Sequence, residues 1–498
     1  MALHKTYIPN PASAKALTRR SGFATLEIII ALTILMMAFI ATDLVAFGNQ
    51  SILIDSEQSQ TALTQAEILI ESAKATAYID FKLLGGLATT TVSMSTGIAY
   101  TQTLSFTDSD WFSKLATAVV TWQDSVKTQS ITLTAHISDF DNTSEGDTCD
   151  QNLSGDWSHP HVFYPVTDLY SITHIDAYEG KLYVSASNET TASSTIPETL
   201  FVFDIHDPTH PVLLSKLDND KNKLGITDLT VASSSLGSYL YAASESSFSR
   251  GQLQIFDVST SSPSLIETYK IPSSTVSTSG VGKSIFYKDN YVYVGLTAAT
   301  GPEFNIIDVH NPLAPVWIGG YDVGNDVNQI YVKDNLQHTY AYIATPNSRQ
   351  LLILDVSNPT NPIAVGGFQT TGGIGGYGKS MYQLGTILYF GETYASTHPE
   401  LYILDNTRQD VLLPQMTMQK IGSSVNALIV RANLAFLVTT SGQFQVWNVA
   451  SSTRISQYAT PLTLPNASSG TALDCEDNYM YVGSVDGNNK GYVTVITP

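Results

Sequence analysis

The chain has 498 residues, with 24 Lys+Arg against 44 Asp+Glu and a formal net charge of −20. That length exceeds one ordinary core and predicts about two to four domains. The acidic balance argues against a broad nucleic-acid footprint, which needs clustered Lys and Arg to displace counterions from phosphate.

At the start of the chain, Arg19-Arg20-Ser21-Gly22-Phe23-Ala24-Thr25-Leu26-Glu27 leads into an apolar run, and Glu27 is the only charged residue from Phe23 to Thr42. An ionised carboxylate in hydrocarbon costs at least ~2.5 kcal/mol and is rarely kept without a partner. A cut after Gly22 would give Phe23 an amino group of pKa about 8, one helical turn from Glu27 on the same subunit or a neighbour. These residues resemble the type III signal of type IV prepilins and type II secretion pseudopilins. The resemblance implies cleavage between Gly22 and Phe23 by a prepilin peptidase, methylation of the Phe23 amine, and a role for Glu27 in assembly with other pilin or pseudopilin subunits. It covers Arg19 to about Tyr78. Leu44, followed by Val45, stands where major pilins often carry a kinking proline, and no proline lies between Phe23 and Tyr78. An unkinked pseudopilin or minor-pilin stem is therefore expected, with a plain single-span anchor as the alternative. The basic flank (Lys5, Lys15, Arg19, Arg20) keeps the start cytoplasmic and places everything after Asp43 outside. The expected localisation is a single-pass membrane protein with extracytoplasmic bulk, in the inner membrane before assembly and at the cell surface or in a pilus afterwards.

Beyond the apolar run, Ile52, Leu63, Ala66, Ile70, Ala73 and Ala77 recur near helical spacing among Glu57, Gln58, Gln65, Glu67 and Lys74, so the helix is expected to continue as an amphipathic stem. From Phe23 to about Tyr78 it would be ~84 Å long, with only its first half in lipid. Gly85-Gly86 ends it, and β-type runs follow at 90–94, 98–104, 118–122 and 130–137. The last two read as a hairpin whose strands cover the helix, a unit that resembles the pilin head. Asp139 to Asp147 is polar and acidic and reads as a linker. The two cysteines, Cys149 at the end of that linker and Cys475 in the final repeat, are a candidate disulfide in an oxidising compartment, or two free thiols.

From about residue 161 onward the sequence repeats itself. A strand of alternating aromatics and aliphatics recurs as Leu182-Tyr183-Val184, Leu240-Tyr241-Ala242, Val292-Tyr293-Val294, Ala341-Tyr342-Ile343, Leu388-Tyr389-Phe390, Ala435-Phe436-Leu437 and Met480-Tyr481-Val482, at intervals of 58, 52, 49, 47, 47 and 45 residues. That period matches propeller blades. A second strand follows each first, and most end in a turn such as Asp204-Ile205-His206-Asp207-Pro208 or Asp355-Val356-Ser357-Asn358-Pro359. There an Asp side chain can hold backbone two residues on, so these Asp residues read as structural. The stretch from Leu351 to Gly366 closely resembles the LVIVD repeat of bacterial surface propellers, with further copies starting at Leu200, Leu253 and Phe304. The chain stops at Pro498 before a last outer strand, while His161 to Val166 is unassigned, so the two ends are expected to complete one blade together.

The fold class expected is multidomain: a long N-terminal α-helix with a small pilin-like α+β head, then an all-β seven-bladed propeller. The boundaries are a leader at 1–22, helix at 23–80, small β region at 81–138, acidic linker at 139–160 and propeller at 161–498. No cofactor is expected. Asp218, Asp220 and Asn222 begin like a calcium loop, but Lys223 stands where the turn glycine belongs. His206 and His310 occupy equivalent turns and read as turn residues. A propeller enzyme, hydrolase or lyase, would need titratable groups converging on the central channel, whereas the repeat places Asp at turns. The expected function is a non-enzymatic minor pilin or pseudopilin-like subunit displaying the propeller for adhesion to an extracellular protein or glycan ligand, with a tethered surface propeller that never polymerises as the alternative.

Overall fold

A computed structural model describes residues 32–33, 35–37, 58–74, 76–77, 84–85, 87–93, 98–108, 113–123, 127–138 and 148–149. From 153 it describes the chain to 498, apart from 187–197, 218–224, 235, 246–250, 273–279, 336–337, 371–375, 432 and 452. Two compact units emerge: Met1–Glu71 with Leu87–Ser105 and Thr117–Thr134, and Ser72–Gly86 with Phe106–Ala116 and Ala135–Pro498.

In the first unit an antiparallel sheet, Leu87–Ser93, Ala99–Asp108, Ser113–Gln123 and Thr128–Ser138 in chain order, carries helical residues on one face. Ala62, Ala66 and Ile70 recur every four residues and are buried, as are Tyr100, Leu104, Ala118, Val120 and Trp122 of the sheet. Two polar ties fix the register: Gln102 Nε2 donates to Gln65 Oε1 at 2.6 Å, and Trp122 Nε1 to Gln58 Oε1 at 3.1 Å.

The expected fold class needs correction. The regular structure among the described residues is almost entirely strand, and the long helix from Phe23 to about Tyr78 is not among them. The helical stretch at 58–74 spans ~25 Å and keeps Gln60, Glu67 and Glu71 exposed, so it is held by the sheet it covers. No helix among the described residues is long and apolar enough to cross a membrane. The single-pass localisation, with its extracytoplasmic and pilus placement, is therefore not supported. Most of the apolar run on which it rested lies outside the described residues.

The second unit contains seven antiparallel sheets. Blade I runs Ile172–Tyr178, Lys181–Ala186, Leu200–Asp204 and Val212–Leu217 from inside outward. Blades II to VI repeat the order, their first strands being Ile226–Ser234, Gly282–Lys288, Gln329–Asn335, Gly378–Leu384 and Val425–Arg431. In blade VII, Ser469–Asp477, Tyr479–Val485 and Gly491–Thr497 are completed by His161–Leu169 from the other end of the repeat region, with Val495 opposite Phe163 and Ile496 opposite Val162. Each first strand packs beside the next, and that of blade VII returns to that of blade I, so the ring closes. The strands legible as "first" and "second" in the sequence are thus the second and third of each blade. Their alternation is buried on both faces because neighbouring blades cover both: Tyr183, Tyr241, Tyr293, Tyr342, Tyr389 and Tyr481 are each at most 3 % exposed.

The turns after the third strands hold as expected. Asp204, Asp257, Asp308, Asp355 and Asp405 each accept the N–H two residues on, at 2.9–3.0 Å. His206 and His310 sit in those turns, Nδ1 at 2.7 Å from Asp204 and Asp308. In the stretch read as linker, Thr148–Cys149 adds a short parallel strand to the innermost strand of blade VII, and Trp157 is buried edge-on against Phe436. Cys149 and Cys475 are disulfide-bonded.

Candidate functional site

Near the start of each innermost strand stands one hydrogen-bonding side chain: Thr173, Thr227, Lys283, Asn328, Lys379, Asn426 and Thr471. In six blades it is the extra residue of a β-bulge, which turns it out of the ladder. All seven line a cavity of about 340 Å³ at one mouth of the channel. Some of them, with their neighbours, also bolt the ring together. Thr173 Oγ1 donates to the Ile226 carbonyl (2.5 Å), Thr227 Oγ1 to Gly282 (3.0 Å), Asn328 Nδ2 to Gly378 (2.6 Å) and Asn426 Nδ2 to Gly470 (2.6 Å). Ser284 and Ser380 make the same bond to Val327 and Val425. Among the described residues Thr471 Oγ1 has no hydrogen-bond partner, and the Lys283 ammonium meets Asp326 at 2.6 Å.

Below the mouth, Ile175, Leu229, Ile285, Ile330, Met381, Leu428 and Leu473 form an apolar ring around a second cavity of about 170 Å³, reaching Asp176, Asp474, Tyr382 and Arg431. Titratable groups do converge here, contrary to the sequence reading. His174 Nδ1 lies 2.9 Å from Asp228 Oδ1. Burial alone would push His174 down, but Asp228, helped by Asp176 and Asp474, lifts it to about 9, so it is an imidazolium at neutral pH. Burial and the neighbouring Asp474 push Asp176 well up. These carboxylates also hold the edges of innermost strands: Asp176 accepts the Val231 N–H (2.8 Å), Asp228 that of Ile285 (2.8 Å) and Asp474 that of Ala177 (2.6 Å). Arg431 Nη1 donates to Tyr382 Oη and to its neighbour's carbonyl, Val430 O.

Cys149, Asp474 and Cys475 bring three ligand atoms within 4.8 Å of one another, but both sulfurs are engaged in the disulfide and offer no thiolate to a metal. Gly22, Phe23 and Glu27 lie outside the described residues, as do Asp218, Asp220 and Asn222. The channel ring escaped the sequence reading because its members share hydrogen-bonding capacity and repeat position, not identity.

Residues 279–323 and 326–370 match the LVIVD repeat, and these are blades III and IV with their flanking turns. The chain carries LVIVD repeats. The matched residues do not include Arg19 to Glu27, so the pilin-type signal stays a resemblance of that motif alone. No curated protein matches the chain. Among solved structures, the WD40 β-propeller domain of Doa1 is 11 % identical over 68 % of this chain and 97 % of its own, with a TM-score of 0.46. U3-55K is 10 % identical over 69 % and 100 % (TM-score 0.47), and Saccharomyces cerevisiae Sqt1 10 % over 70 % and 85 % (0.44). At such scores the architecture rests on the closed ring itself.

Proposed function

We propose that this protein is a non-enzymatic recognition subunit whose propeller binds a protein or glycan ligand at the polar mouth of its channel. The observation that carries this reading is the ring of seven hydrogen-bonding side chains around a cavity of about 340 Å³, within the size range of small-ligand sites. Its five neutral side chains, joined by Lys283 and Lys379, suit hydroxyl-rich or peptide groups. The channel's carboxylates are engaged with backbone N–H groups, which favours binding over acid–base catalysis. The test is a glycan and protein array probed with the full chain, then with Thr471→Val, a change that touches no bond between blades described above. Binding should fall about tenfold or more with little change in Tm; unaltered binding would place the ligand elsewhere.

The Gly22-Phe23 junction and Glu27 support a finer reading of the same protein as a minor pilin or pseudopilin-like filament subunit, processed by a prepilin peptidase and assembled with other pilins. Mass spectrometry should then find Phe23 at the mature N-terminus, and Glu27→Ala should abolish incorporation into filaments. An intact Gly22-Phe23 bond would remove that finer reading and leave the binding propeller.

A further inference from the structure

Large apolar side chains are exposed in two kinds of place. Val212, Leu313, Val316 and Ile363 stand at or just before the first residue of an outermost strand, at the blade ends away from the mouth. Beside the mouth, the exposed ones include Tyr377 (48 %) and Tyr394 (52 %) of blade V, each an aromatic body tipped with a hydroxyl.

The hairpin fixes where these two residues stand. The innermost strand of blade V, Gly378–Leu384, starts at the mouth, and the second, Ile387–Glu392, returns to it. Pairing runs one residue past the ladder: the Thr393 N–H donates to the Tyr377 carbonyl at 2.9 Å, and the Tyr377 N–H to Thr393 Oγ1 at 2.7 Å. The Tyr394 N–H donates to Ser424 Oγ at 2.9 Å, two residues ahead of Asn426 of the mouth ring. Lys420, just past the outermost strand Gln415–Gln419, holds its ammonium 6.0 Å from the centre of the Tyr394 ring and donates to the Ser396 carbonyl at 2.6 Å. Tyr377 thus extends the innermost strand, Tyr394 the second and Lys420 the outermost. At ~4.8 Å between strands, these positions reach about 14 Å outward from the mouth, room for a short oligosaccharide.

A sugar ring has an apolar face of C–H groups and a rim of hydroxyls, and tyrosine matches it with a flat apolar body, a polar tip and few torsions to order. Protein interfaces are instead anchored on an apolar core, and the exposed aliphatic residues named above lie at the far ends of the blades. We propose that the ligand is a glycan chain, which places one sugar in the polar mouth and lays the following residues on Tyr377 and Tyr394 over blade V. This inference rests on the mouth as the binding site and names the class of its ligand.

The experiment is a glycan array probed with the full chain, followed by calorimetric titration of the best glycan against Tyr377→Ala, Tyr394→Ala and the matching Phe variants. Each Ala variant should weaken binding about fivefold to tenfold, and each Phe variant, which keeps the stacking face, should stay near the parent. Both rings are exposed, so Tm should not move. Glycan binding that ignores both Ala variants overturns the proposal, and so does an array without a glycan hit, whether or not a protein binds. Neither result touches the mouth reading, which Thr471→Val tests for a ligand of either class. If that variant binds normally while the Ala variants lose affinity, the glycan lies on blade V alone, and the mouth's share of the proposal is overturned.

Discussion

His174 holds its proton because Asp228 stands 2.9 Å away with Asp176 and Asp474 behind it, against the opposing effect of burial. Its folded pKa of about 9 lies above the ~6.5 of an unfolded histidine, so the native state binds the extra proton. The stability this confers is complete below pH 6.5 and lost as pH rises through 9. Thermal unfolding should therefore show Tm falling between pH 6.5 and 9.5, and His174→Asn should flatten that limb; an unchanged slope would mean that Asp228 does not hold the charge. Glu392 works in the same sense at lower pH. Burial, reinforced by Glu400 and opposed by the Gly376 N–H, raises its folded pKa from 4.5 to about 8. Stability should decline from about pH 4.5 to 8 in the parent and stay flatter in Glu392→Gln, because the neutral amide has no proton to lose.

Between blades I to VII, one side chain at the start of each of the first six innermost strands reaches a carbonyl of the next blade, and Asn426 to Gly470 at 2.6 Å is representative. Removing the amide leaves that carbonyl without its donor, so Asn426→Ala should lower the urea unfolding free energy by about 1–2 kcal/mol. A change below about 0.3 kcal/mol would mean that apolar packing alone holds blade VI to blade VII. These bolts mark the boundary of what the sequence reveals. Second and third strands were legible because burial on both faces demands apolar runs such as Leu351 to Leu354, and the Asp turns because their chemistry is local. Ring closure was legible as a missing partner for the last strand. Innermost strands were not, since Thr173, Ser284 and Asn328 make one bond with three residue types. Nor was the Glu392–Glu400 pair, which only hairpin register brings together. The helix shows the opposite error: spacing at Ala66, Ile70 and Ala73 identifies an amphipathic face, but the extrapolation back to Phe23 outran the described residues.

At the scale of the whole ring, everything closes through blade VII, where Gly491–Thr497 pairs with His161–Leu169 and the disulfide ties Cys149 to Cys475 across 326 residues of chain. A cross-link over so long a loop restricts mainly the unfolded chain, typically adding 2–4 kcal/mol. Cys149→Ser/Cys475→Ser should therefore fold to the same ring with a Tm about 3–6 °C lower. Cutting the chain before Gly491 is a different operation. It removes Val493, Val495 and Ile496, all fully buried, strips His161–Leu169 of its partner strand and bares one edge of Tyr479–Val485, which keeps only Ser469–Asp477, so two sheet edges open at once. That truncation should abolish cooperative unfolding, whereas the double serine variant keeps a single transition; a truncated chain with one sharp transition would mean that the ring does not depend on joining its ends.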